Sequence, residues 1–184
     1  ASGGAKVIYK HSSILNNLDQ NISSSVNHLK KKISYKITTS LSKKFKLFEQ
    51  KNSGWEGKKM KISKKFNPSD KWMMNKVVFG KSLNFDKKRD FLIIPEIWSH
   101  FAEDMELRKK KINYAIFVQG FYHMNSSSDF FKLNKSYERA KLIITDSKYS
   151  IKYLEEMFPK QRKKIIKINF LIDEKKFKIN QKSN

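Results

Sequence analysis

The residues of this chain that could do chemistry stand where short apolar runs end. Phe91 to Ile94 is followed by Pro95-Glu96, Ala115 to Val118 by Gln119-Gly120, and Leu142 to Ile144 by Thr145-Asp146-Ser147. Glu96 offers a carboxylate that accepts hydrogen bonds from hydroxyls or takes up a proton as a base. Its other reading is a cap on a helix starting near Ile97. Gln119 and Tyr122 can donate and accept hydrogen bonds, or else finish a strand and pack a turn. Ser147 fits a helix cap that can also touch a ligand beside it. Gly3 and Gly4 open a helix with bare backbone N–H groups, where the helix dipole adds partial positive charge and a phosphate is a natural ligand. A flexible terminus is the alternative there.

These groups need a scaffold that gathers them, and the spacing of the apolar runs provides one. With Ile165 to Ile168 as a fourth run, they recur one βαβ unit apart, and open α/β sheets bind ligands at the carboxyl ends of their strands. Between the runs, Ile97, Phe101, Met105 and Ile112 share one helical face, with Glu103, Asp104 and Glu106 preceding Lys109 to Lys111 as the dipole favours. The next helix starts near Ser128, with Phe130, Leu133 and Tyr137 inward. The last runs from Ser147 to Phe158, buries Ile151, Leu154 and Phe158, and stops at Pro159. The expected fold is α/β: a Rossmann-like open parallel sheet with right-handed crossovers and helices on both faces.

Upstream the pattern is harder to read. Val7, Ile8, His11, Ile14, Leu15 and Leu18 give a helix over about 4–18. Ile33, Tyr35, Ile37 and Thr39 alternate as a half-buried strand does, and Leu41, Phe45 and Phe48 indicate a short helix. From Gln50 to Asp70 the composition is that of a loop, with Trp55, Met60, Trp72 and Met73 as anchors onto the core or as contacts with a membrane interface. Lys76 to Phe79 reads as a strand. The Gly80-Lys81-Ser82 that follows is a turn rather than a P-loop, because Asn75 stands where that motif needs glycine.

Composition bounds the functions available. The 184 residues hold no cysteine, which excludes disulfides, thiolate catalysis and Cys-based metal sites. His11, His28 and His100 lack metal-ligand spacing and no Asp-x-Asp pair occurs, so no metal is expected. Forty Lys and Arg against 17 Asp and Glu give a formal charge of +23. Only Arg89, Arg108, Arg139 and Arg162 are arginines, which weakens a sequence-specific nucleic-acid reading and leaves a solvated lysine surface or contact with anionic membrane. No apolar run approaches the roughly 18 residues that span a bilayer, and the N-terminus lacks a signal-peptide core. The expected compartment is the cytoplasm.

Taken in order, Phe91-Leu-Ile-Ile-Pro95-Glu96, Ile116-Phe-Val-Gln119-Gly-Phe-Tyr122 and Ile144-Thr-Asp-Ser147-Lys-Tyr149 resemble consecutive strand ends of GT-B glycosyltransferases of the family-4 type. Ser2-Gly3-Gly4-Ala5 resembles that family's glycine loop after the first strand, and Ile172-Asp173 with Phe177 its exit from the N-terminal domain. The resemblance covers most of residues 1–178 and is weakest over 20–75. It implies the acceptor-side N-terminal domain over 1–178, truncated at both ends, with the interdomain linker beginning at 179–184. The donor-holding domain with its Glu-x7-Glu motif is not in these residues, so the fragment alone is expected to be inactive.

The implied activity moves a sugar from a nucleotide-sugar co-substrate, with no other cofactor, to a glycan or lipid-linked acceptor in cell-surface polysaccharide biosynthesis. Peripheral contact with the inner membrane face is part of that expectation. Within it Gly3 and Gly4 contact the donor phosphates, Glu96 is the catalytic candidate, and Gln119, Tyr122, His123 and Ser147 bind the acceptor. His123 lies near the family's polar strand-end position but shifted from it. The competing reading is a basic α/β module without enzymatic activity that binds RNA or anionic membrane.

Overall fold

The computed structural model describes residues 3–18, 21–31, 60–62, 78–120 and 130–169. Its centre is a four-stranded parallel sheet in the order β5 (Phe91–Pro95), β6 (Asn113–Val118), β7 (Leu142–Thr145) and β8 (Ile165–Lys167), so the expected open parallel α/β sheet is what forms. After the exposed Asn113, strand β6 runs through Tyr114 to Val118, all of them buried, as a central strand covered on both faces requires. Successive side chains of a strand point to opposite faces. Tyr114, Ile116 and Val118 share one cluster with Ile143, Leu133, Tyr137 and Leu154. On the other face Phe117 meets the His11 ring of helix α1 (Gly3–Leu18), with centroids 5.6 Å apart. Helices therefore cover both faces.

The clustered face is closed by helices α2 (Phe101–Asp104), α3 (Phe130–Arg139) and α4 (Lys148–Met157). Leu133, Ser136 and Tyr137 form the buried stripe of α3, and the Tyr137 ring stacks on Phe158 at 4.3 Å between centroids. Ser147 caps α4 by accepting from the Ser150 N–H at 3.1 Å. Pro159 begins a 3-10 turn (Pro159–Lys164) that leads into β8. The expected helix over Ser147 to Phe158 thus forms with its two end residues as caps.

The expected face of Ile97, Phe101, Met105 and Ile112 does not form as one helix. A 3-10 turn (Glu96–Trp98) and the single turn of α2 stand in its place, and Ile97 is exposed. The cause is two successive helix stops. Leu107 N–H donates to Ala102 C=O and Glu106 N–H to Glu103 C=O, with Glu106 at φ 54°. Ile112 N–H then donates to Leu107 C=O and Lys111 N–H to Arg108 C=O, with Lys111 at φ 57°. This is the Schellman pattern made twice, with non-glycine residues in the left-handed position. Leu107 is buried by the first stop and Ile112 by the second. Glu103 and Asp104 stand in the first turn of α2 and also pair across to Arg139 and Lys132 of α3, the latter at 2.8 Å.

Three smaller expectations also change. Phe130, placed inward from the sequence, is 60% exposed, because it projects past the core from the first position of α3. Met60 lies in strand β3 (Met60–Ile62) rather than in a loop, pairing antiparallel with β2 (Leu29–Lys31). The strand expected over Lys76 to Phe79 appears as β4 (Val78–Phe79), parallel to β1 (Ser25–Val26), with residues 76–77 outside the described ones. A Cβ at Gly80 would stand 2.0 Å from Asn27 Oδ1, so glycine is what lets the Asn27 amide lie against the chain turning out of β4. The expected strand over Ile33 to Thr39, the helix at Leu41 to Phe48, Ser128, Asp173, Phe177 and the linker at 179–184 lie outside the described residues. No described helix is long and apolar enough to cross a membrane.

Candidate functional site

Registry fixes which residues share the carboxyl edge of the sheet. Pro95 pairs with Phe117, Val118 with Thr145, and Thr145 with Lys167, so Glu96, Gln119, Asp146 and Ile168 are each the first residue past a strand. Neighbouring strands lie about 4.8 Å apart, which sets these positions side by side.

Gln119 is held from two directions. Its backbone N–H donates to Glu96 Oε2 at 3.3 Å, and its side-chain Nε2 donates to the Gly4 carbonyl at 3.1 Å. The structure therefore gathers Gly4, Glu96 and Gln119, three residues singled out by sequence and up to 115 positions apart. A Cβ on residue 4 would stand 2.3 Å from Gln119 Oε1, so glycine is what lets the amide lie against α1. The same contact brings the first turn of α1, with Gly3, to the carboxyl edge.

Glu96 is only 5% exposed and stands as the acidic residue at the start of the 3-10 turn Glu96–Trp98, while its carboxylate ties the tip of β5 to the tip of β6. Its charge is felt below the sheet. The buried Tyr137 phenol is pushed well up, by burial first, then by Glu96 and Tyr153. Glu96 thus positions Gln119 rather than presenting a free carboxylate to solvent. Ser147 stands two residues past β7 with its hydroxyl engaged in the α4 cap. Tyr122 and His123 lie outside the described residues.

Two groups were passed over in choosing candidates from sequence. Asp146, half-buried at the tip of β7, has its carboxyl raised above the usual range by burial, with its own backbone N–H and Lys167 pulling the other way. The signal was present, since Asp146 holds the same first-past-the-strand position as Glu96 and Gln119. His11, packed on Phe117 near the same edge, has its imidazole lowered by burial and then by Lys10. Its helical spacing disguised it as an ordinary core-facing residue.

Among the described residues that leave the four strands, at 96–100, 119–120, 146–147 and 168–169, there is no lysine or arginine. The edge therefore combines an amide held in place, two carboxylates, the N-termini of α1 and α4, and Lys167 at the end of β8 acting on Asp146. Its amide and carboxylates can pair with groups that both donate and accept hydrogen bonds, as hydroxyls do. No group of three or more metal-binding side chains occurs among the described residues. Compared with family models, curated proteins and solved structures, the chain matches none.

Proposed function

We propose that the carboxyl edge is the acceptor-side sugar site of a glycosyltransferase that draws on a nucleotide-sugar donor. The observation that carries this reading is the Gln119 amide, fixed by Glu96 and Gly4 one strand over from Asp146 at the carboxyl edge. A sugar offers hydroxyls that both donate and accept, and an immobilised carboxamide next to a carboxylate matches that pattern without ordering cost at binding.

In this reading Glu96 is a positioning residue. Gln119 contacts the sugar, and Asp146 accepts a hydrogen bond from a hydroxyl or takes its proton. The amides of Gly3 and Gly4 open α1, which begins on the same edge, where the dipole's positive end would receive charge growing on a departing diphosphate. The acceptor is a glycan or a lipid-linked sugar. Tyr122 and His123 follow β6 in sequence and are assigned to the acceptor on the resemblance alone.

Saturation-transfer NMR on the chain, with a panel of oligosaccharides and nucleotide sugars, tests this. At least one saccharide is expected to take up saturation, and Gln119→Ala to weaken it about tenfold, the worth of one well-placed hydrogen bond. Saturation of no saccharide and no nucleotide sugar by the unaltered chain would sink the reading.

A further inference from the structure

Because the four strands are parallel, the four loops that enter them meet at the opposite, amino edge. These loops are residues 86–90 before β5, 105–112 before β6, 140–141 before β7 and 158–164 before β8. Together they carry twelve cations: Lys87 to Arg89, Arg108 to Lys111, Lys141, Lys160 and Arg162 to Lys164. They hold three carboxylates, Asp86, Asp90 and Glu106. Those three are occupied locally. Asp90 accepts from Asp86 N–H and Asp86 from Lys88 N–H, both at 2.7 Å, while Glu106 pairs with Lys109 at 2.8 Å. All the cations except Lys164 are exposed; the Lys164 ammonium reaches the Glu138 carbonyl near the end of α3, which sets the loop before β8 beside the helix that leads into the loop before β7.

Apolar groups stand among the charges. Phe91 and Leu142, the first residues of β5 and β7, are 50% and 36% exposed. Four strands about 4.8 Å apart make this edge a ledge roughly 14 Å long before its side chains are counted. We propose that this ledge docks the protein on an anionic lipid bilayer, with the lysines over the headgroups and Phe91 and Leu142 at the acyl boundary. A duplex or folded RNA would be read through guanidinium forks and stacked aromatics. Here nine of the twelve cations are lysines, and Phe91 is the one exposed aromatic on the ledge. The inference does not rest on the sugar site, which lies at the other end of the strands.

Vesicle sedimentation tests it on the full chain, with phosphatidylglycerol–phosphatidylcholine vesicles, pure phosphatidylcholine vesicles, and a single-stranded RNA competitor. Binding is expected to the anionic vesicles alone and to weaken as salt rises. K110E/K163E is expected to lower affinity at least about 25-fold, given about fivefold per basic residue lost. K148E/K152E, with the same charge change on exposed positions of α4, is expected to lose less than about fivefold. The neutral pair K110Q/K163Q repeats the test with smaller perturbation, and circular dichroism checks that each variant is folded. Equal loss from both pairs, binding to neutral vesicles as tight as to anionic ones, or RNA displacing the vesicles through the same lysines would each overturn the proposal.

Discussion

The amino and carboxyl edges of the sheet are built from the same four strands, yet the loops entering the strands gather twelve cations, whereas the described residues leaving them hold two carboxylates, an amide held in place and no lysine or arginine, with Lys167 at the end of β8 beside them. In a parallel sheet, whether a residue stands just before or just after a strand decides which end of the molecule it occupies. A charge pattern that alternates along the chain is thereby sorted into two separate surfaces. In an antiparallel sheet the same sequence would mix them at both ends. The two surfaces also obey different physics. Long-range attraction at the amino edge weakens with ionic strength, whereas short hydrogen bonds at the carboxyl edge depend on geometry and hardly on salt.

Removing Glu96 should break the contrast most severely. Glu96→Ala leaves the Gln119 N–H without its acceptor and is expected to cost about 2 kcal/mol in urea unfolding. Saccharide binding should fall while binding to anionic vesicles is unchanged; a parallel loss of both would mean that the edges are not independent. Ser147→Ala removes the α4 cap next to Asp146 and is expected to cost about 1 kcal/mol, with Ser147→Asp recovering most of it. Lys111→Gly sharpens the contrast by moving two readouts in opposite directions. It relieves a left-handed backbone, raising stability by about 0.5 kcal/mol in thermal unfolding, and removes one ledge cation, weakening vesicle binding about fivefold.

The smallest effect expected is one of pH. The folded protein holds the His11 imidazole below its usual value, so over that window it binds fewer protons than the unfolded chain. Stability should decline as pH falls from about 6.5 through the lowered value. His11→Gln should flatten that slope in denaturation curves measured on either side of the window.

The sheet and the outline of the site were legible because their signals are local. Apolar runs of four to six residues, Ser147 three residues before the N–H it caps, and Pro159 after the last helix each act within one turn of chain. The region 96–112 was not legible in the same way. Its two stops put Glu106 and Lys111 where glycine usually marks a left-handed turn, so the letters read as an uninterrupted helix. The pairing of Leu29–Lys31 with Met60–Ile62 joins segments that carry no mutual mark in sequence. In the site, residue type drew attention to Glu96, but only the fold reveals that its carboxylate is spent on holding Gln119. Asp146 has the opposite history, being overlooked within Thr145-Asp146-Ser147 although its place past β7 matches that of the other two.

Tyr114 and Tyr137 lie on the clustered side of the sheet with phenols raised far above the ordinary value by burial, and Tyr114 donates to the Ser136 carbonyl at 2.8 Å. Burial disfavours the tyrosinate form of both rings while strands and helices remain packed. In an alkaline titration followed by absorbance, these two chromophores should stay silent while the fold holds and then ionise together when the layers separate. The molecule thus carries its own optical gauge of whether the scaffold between its two edges is intact.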